Sequence, residues 1–163
     1  MFKIYILALL ILTYMKGPLP KNVEKNGMSF SWKIEGDFMH CEVRSPGKGW
    51  IGVGFNPKQE ITKSNLIMGA AEHGHFKMSD RYVVSFGNHK SILSLGGNEA
   101  ILDRNVIENE KGSIMTFKIK AESEDAYHYN LIQDEEIFIW LAYSREDDFE
   151  HHSTMRTSIK ITL

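Results

Sequence analysis

The chain has 163 residues, 42 % of them apolar and 25 % charged, which are the proportions of an ordinary globular domain able to bury a core. A formal net charge of −2 gives no electrostatic basis for nucleic acid as a partner. Cys41 is the single cysteine, which excludes an intrachain disulfide.

The first segment stands apart from the rest. Lys3 precedes the apolar run Ile4–Leu12, and Gly17-Pro18 follows shortly after. One positive charge ahead of a short apolar stretch predicts a secretory signal over residues 1–20. An uncleaved N-terminal anchor is the alternative, and membrane association is expected only in that case. The run is shorter than the roughly 20 residues that span a bilayer. A secreted or periplasmic protein is therefore expected.

Beyond residue 20 the chain reads as strands. Met28, Phe30, Trp32 and Ile34 alternate with polar residues and predict a strand with one apolar face. Glu35-Gly36-Asp37 is a turn signal, and Phe38–Val43 returns as the second arm of a hairpin. Cys41 lies in that arm and is expected to pack as a small hydrophobe. Trp50-Ile51-Gly52-Val53-Gly54-Phe55 is a Gly-rich strand ended by Asn56-Pro57, whose glycines suggest close approach by a large neighbour.

Leu66–Ala71 and Phe76–Phe86 predict two strands around a tight turn at His73-Gly74. Asn88–Asn98 is less regular. Val106-Ile107 and Ile114–Ile119 predict shorter strands around a charged turn, and Glu122–Gln133 reads as a polar connection with one helical turn. Glu136–Tyr143 is nearly all apolar, as in a strand covered on both faces. Thr157–Leu163 closes the chain with clear alternation. Many short strands and no amphipathic helix imply an antiparallel β-sandwich or flattened barrel, with 21–163 as one domain.

Chemistry concentrates in one connection. Asp147-Asp148-Phe149-Glu150-His151-His152-Ser153-Thr154-Met155-Arg156 places acids, two histidines and an arginine between two apolar strands. Loops on a rigid scaffold carry function more often than the strands do. His151 and His152 read either as solvated loop residues or as one ligand to a metal or haem iron. Neighbours in an extended segment face opposite ways, so one of the two would face a pocket. Arg156 would pair with an anionic group nearby. A divalent ion held by one histidine with Asp147, Asp148 or Glu150 is a weaker alternative.

Other residues read more plainly. His73 and His75 flank a turn and are expected at the surface. His40 is expected half-buried, and His89 and His128 in polar loops without a local partner. Met68 reads as core filler, and Trp32, Trp50 and Trp140 as core aromatics, one of which could stack on a sugar. There is no nucleophile elbow, phosphate loop or C-x-x-C pair. No complete active site is visible, and no enzyme is expected.

Taken together, several segments resemble the DOMON domain, from about Met28 to Leu163. They are Trp32, Gly49-Trp50-Ile51-Gly52-Val53-Gly54-Phe55-Asn56-Pro57, Ser79-Asp80-Arg81-Tyr82, Phe117, Trp140-Leu141-Ala142-Tyr143-Ser144, and His152 followed four residues later by Arg156. The resemblance implies an Ig-like antiparallel β-sandwich that binds haem or a sugar in a pocket at one end. Related cytochrome domains hold a b-type haem between a Met and a His. The family histidine falls on His152, or on His151 if the loop is shifted by one. The family methionine falls on Ile61, which cannot ligate iron. Met68 is near in sequence, but an extended chain would put it about 23 Å from Ile61. The expectation is an exported module that binds haem b and exchanges electrons with a separate redox partner. A sugar or small-ligand binder without haem is the alternative, which the missing methionine favours.

Overall fold

The computed structural model describes residues 19–123 and 125–163. The expected export segment, residues 1–20, lies outside the described residues except for Leu19 and Pro20. The strands are β1 (Lys21–Lys25), β2 (Met28–Glu35), β3 (Phe38–Arg44), β4 (Ile51–Asn56), β5 (Asn65–Glu72) and β6 (His75–Ser85), followed by β7 (Asn88–Ser91), β8 (Ile101–Asn109), β9 (Gly112–Lys120), β10 (Glu136–Tyr143) and β11 (Met155–Thr162). They build a five-stranded sheet in the order β1-β2-β3-β9-β8 and a six-stranded sheet in the order β11-β10-β4-β5-β6-β7. Every pairing is antiparallel. This is the expected Ig-like antiparallel β-sandwich.

The strand period explains the packing. In β2, Met28, Phe30 and Trp32 point inward and are almost wholly buried, with the Phe30 and Trp32 rings stacked 5.3 Å apart. In β4, Ile51, Val53 and Phe55 face the same interior. Successive side chains in a strand point to opposite faces, so Trp50, Gly52 and Gly54 must face outward. The same alternation in β10 sends Ile137, Ile139 and Leu141 into the core, and Trp140 and Ala142 to the outer face. The strand is thus buried on its inner face, while Phe138 and Trp140 leave the outer face half-covered, less than its apolar run predicts. Cys41 lies in the core, only 5 % exposed.

Turn chemistry fixes the register of the hairpins. Asn26-Gly27 and His73-Gly74 both take positive φ at each central residue (53° and 79°, 51° and 79°), the backbone of the two-residue hairpin turn that matches strand twist. His73 and His75 are exposed at that second turn, as expected.

Several elements differ from the sequence reading, among them β7, which forms at the start of the less regular Asn88–Asn98 segment. β1 has only one half-buried residue, Val23, among five. It carries no apolar run and exists because its backbone completes the edge of β2. β8 is nine residues long rather than two, because it pairs with β9 through an irregularity between Leu102 and Asn105. The described part of the 121–135 connection forms turns, and a single helical turn among the described residues falls at Leu93–Leu95 instead.

Candidate functional site

The outer face of the six-stranded sheet carries a pocket with a cavity volume of about 120 Å³. Its floor comes from the rows that the register sets side by side. Trp140 lies opposite Gly54, which lies opposite Leu66; Ala142 lies opposite Gly52, which lies opposite Met68. The two glycines leave β4 bare between flanking side chains. A Cβ at Gly54 would stand 3.4 Å from the Trp140 Cβ and 3.5 Å from the Ser64 Cβ. Gly54 lines the pocket and admits Trp140 close by, the large neighbour that the sequence suggested.

The wall is the His-rich connection between β10 and β11. It leaves the sheet at Tyr143, at the end of β10 away from the 57–64 loop, and lies back across the outer face. Phe149 anchors it. That ring is 8 % exposed and packs with Trp50, Met68, Ala70 and Ala142 in a second apolar cluster. The Lys77 ammonium and the Arg81 guanidinium stand 4.9 Å and 5.9 Å from its centre. Arg81 also donates to the Glu150 carboxylate at 2.9 Å, and the Trp50 indole donates to the His151 carbonyl at 3.2 Å. The pocket therefore lies on a sheet face beneath this connection, and not at an end of the sandwich as the resemblance implied. Trp50 and Trp140 are correspondingly outer-face residues; of the three tryptophans only Trp32 lies between the sheets.

His151, His152 and Arg156 all line this pocket, together with Ile61, Met68 and His89. The backbone turns between Asp148 and His151, whose N–H donates to the Asp148 carbonyl at 3.1 Å. The local chain is therefore not extended, and both histidines reach the pocket where alternation would admit one. Both are exposed, as is Arg156. The Asp148 carboxylate lies 3.3 Å from His151 Nδ1. Backbone donation from Glu150, aided by His151, holds the Asp148 carboxyl below the usual range against a weak burial penalty. Among the described residues, no three His, Cys, Asp or Glu side chains are placed to hold a metal ion. Of the pairings considered for a divalent ion, a histidine with Asp147, Asp148 or Glu150, the structure brings His151 to Asp148.

Ile61 and Met68 share the pocket because the chain between them folds back. Lys63 takes a left-handed conformation at φ 68°, the Ser64 N–H donates to the Ile61 carbonyl at 3.1 Å, and Lys63 N–H reaches the Val83 carbonyl at 2.7 Å. The extended span assumed between these two residues does not occur.

His89 has no signal in its local sequence. It sits on β7 opposite Val83, which also lines the pocket. Its Nδ1 is buried and has no hydrogen-bond partner. Burial, and then the Arg81 charge, hold this imidazole below the usual histidine pKa, with Glu150 acting weakly the other way. Only the tertiary fold brings it to residues about 60 positions later.

A second histidine also departs from its sequence reading. His128 is not a loop residue without a partner. Its Nε2 lies 2.9 Å from Asp80 Oδ2 and its Nδ1 2.8 Å from Asp125 Oδ1. Asp80 is fully buried and also accepts from Asn65 Nδ2 at 2.7 Å and from the Ala100 N–H at 2.8 Å. Burial opposes a charge on His128, but the hydrogen bonds and charges of Asp80 and Asp125 outweigh it and raise the pKa. The network ties the 121–135 connection to β6 and to the start of β8.

The fold is an antiparallel β-sandwich with a small pocket on the outer face of one sheet. The sequence model of the DOMON domain matches residues 24–144, and the chain belongs to the DOMON domain family. No curated protein matches its sequence. Among solved structures, it is similar to the cytochrome b domain of pyranose dehydrogenase from Coprinopsis cinerea, with 9 % identity over 83 % of this chain and 76 % of that one, and a TM-score of 0.60. It is also similar to the cytochrome domain of cellobiose dehydrogenase from Myriococcum thermophilum, with 11 % identity over 88 % and 81 % of the two chains and a TM-score of 0.53. At such identities the likeness is one of fold. Among the described residues no helix is long and apolar enough to cross a membrane.

Proposed function

We propose that the outer-face pocket binds a flat, largely apolar prosthetic group, haem b before others, and that the protein carries electrons rather than catalysing a reaction. The observation that carries this reading is the composition of one pocket. Leu66, Met68, Ala142, Trp50 and Trp140 supply apolar surface, His89, His151 and His152 supply imidazoles, and Arg156 supplies a cation. Apolar walls with a few convergent polar groups are the usual make-up of a cofactor site. The fold shared with two cytochrome domains supports the choice of haem.

The residues fit the group chemically. Haem iron takes imidazole or thioether ligands and cycles between two oxidation states, which is how it carries an electron. His152 would supply the ligand from the covering connection, with His151 as its substitute. Arg156, at the exposed edge, would pair with a carboxylate of the ligand. Leu66, Met68 and the two tryptophans would exclude water from the apolar part. In size the fit is tighter, because cofactor pockets run from about 300 Å³ upward and this cavity is near 120 Å³. The Phe149 connection would have to lift, or part of the group would stand in solvent. Export by residues 1–20 and a separate redox partner belong to the same proposal.

The test is the absorbance of the purified full chain titrated with haemin. A Soret band that His152→Ala weakens is expected; a chain that stays colourless overturns the reading. The cavity size and Ile61 favour a second reading, a sugar or small ligand bound without haem. Calorimetry with a panel of mono- and disaccharides tests it. Heat released on binding that Trp140→Ala abolishes would support it.

A further inference from the structure

The connection that covers the outer-face pocket carries three acids, and none of them serves Arg156. Glu150 accepts from Arg81 at 2.9 Å, and Asp148 lies 3.3 Å from His151. Asp147 interacts with Glu108, Glu72 and Lys77, none of which lines the pocket. Arg156 itself leaves β11 opposite Ala142, so the two side chains share the outer face and both line the pocket. Its guanidinium stands 5.2 Å from the centre of the Phe86 ring. Among the described residues no carboxylate or carbonyl accepts from its N–H groups. A ring gives the charge a neighbour but leaves the planar fork of donors that matches a carboxylate unused.

The floor beside this cation is apolar and narrow. Leu66, Met68, Ala142 and the bare Gly54 line it. Trp140 borders it with an indole held in place, its Nε1 donating to the Glu60 carbonyl at 3.1 Å. A fixed indole offers another ring a surface for stacking or edge contact. The cavity is about 120 Å³, and an apolar cavity of about 150 Å³ holds one benzene molecule. The space therefore admits a single six-membered ring whose polar end stands at the mouth. A sugar ring would press hydroxyls against Leu66, Met68 and Ala142, which offer them no hydrogen-bond partners.

We propose that this pocket takes a small aromatic monocarboxylate, with its ring on the floor beside Trp140 and its carboxylate paired with Arg156 at the mouth. The inference rests on the second reading above, a small ligand bound without haem, and names the class of that ligand. His152 and Ser153 also line the pocket and would add donors to the same carboxylate. The acid fits beneath the Phe149 connection without any need for it to lift.

The test is calorimetric titration of the full chain with benzoate, benzamide, acetate and glucose. Benzoate should saturate one site. Benzamide has the ring without the charge and should bind about tenfold or more weakly, while acetate and glucose should give no measurable heat. Arg156→Gln should bring benzoate down to the level of benzamide and leave benzamide unchanged, a split that a merely structural role would not produce. Gly54→Leu should abolish binding of both. Thermal unfolding shows whether each variant folds, and Arg156→Gln carries the test if Gly54→Leu does not. Equal affinity for benzoate and benzamide overturns the proposal and leaves a small-ligand site standing. Glucose binding without benzoate binding does the same and assigns a sugar. Benzoate binding that persists in a folded Gly54→Leu variant places the acid elsewhere and overturns the proposal. A chain that binds none of the four also overturns it, and the saccharide panel and haemin titration above then judge the two earlier readings separately.

Discussion

The Arg156 guanidinium stands 5.2 Å from the centre of the Phe86 ring, so a residue of β11 meets the β6–β7 turn across the mouth of the pocket. These elements are four strands apart in the sheet order, and the contact brings the two sides of the outer face together. Phe86 is 74 % exposed, and a cation–π contact at an exposed site is worth about 0.5–1 kcal/mol. Phe86→Ala should therefore lower stability by no more than about 1 kcal/mol in denaturant unfolding. Arg156→Ala should do the same, and in addition should weaken binding of a carboxylate-bearing ligand. Equal losses of affinity in the two variants would mean that Arg156 acts only by closing the mouth.

The glycines of β4 and β5 look alike in sequence and should behave differently. Gly54 faces the pocket, and its nearest neighbours to an added Cβ stand at 3.4 Å or beyond. Gly54→Ala should fold with little loss, while Gly54→Leu should fold and fill the pocket. Gly69 faces the opposite sheet, where a Cβ would lie 2.7 Å from Val106 and 2.8 Å from Met115. Gly69→Ala should cost about 1–3 kcal/mol through overpacking. Thermal unfolding together with ligand titration separates the two cases.

His128 should make stability depend on pH. Its folded pKa is raised by Asp80 and Asp125 against burial. The imidazolium contribution is then complete below the unfolded value of about 6.5 and is lost as pH rises through the folded value. Stability should fall from about pH 6.5 upward, and His128→Asn should remove that slope. The variant should also lose about 3 kcal/mol at pH 6, because Asp80 is left buried without its imidazolium partner. A slope unchanged in His128→Asn would show that another group titrates.

Cys41 should be inert until the chain unfolds. Burial pushes its thiol well above the ordinary pKa, and it is the thiolate that reacts. A thiol reagent should label the native protein at the rate of global opening, and the denatured protein at once. Fast labelling of the native chain would mean that β3 opens locally.

Phe149→Ala should free the connection that covers the pocket. The ring fills the second apolar cluster, and losing it should cost about 3–5 kcal/mol. Hydrogen exchange should rise over residues 145–154 more than in β10 or β11. Haemin uptake should become faster if lifting of this connection admits the ligand.

Much of this was legible before any coordinates. Alternation in Met28–Ile34, the paired turn glycines and the apolar run of β10 each follow from a period of two and the needs of positive φ, so the sandwich and its core could be read residue by residue. The His-rich connection was also legible as a candidate, because acids and imidazoles gathered between two apolar strands stand out from the strand pattern, although its Phe149 packs. β1 was not legible, since an edge strand held by backbone pairing needs no apolar pattern.

What the sequence by itself determined is therefore local: which residues form strands, which face of each is apolar, and that 147–156 gathers acids, two histidines and an arginine in one connection. Only the tertiary structure decided where those groups face. Phe149 lays the connection back over the sheet, bare glycines open a floor beneath it, and Lys63 turns the chain so that Ile61 and Met68 share one pocket. The same folding brings His89 to the pocket that His151 and His152 line, and shuts His128 between two acids. These are contacts between residues far apart along the chain. They arise from sheet order and from one buried ring, and no local pattern of residue types encodes either.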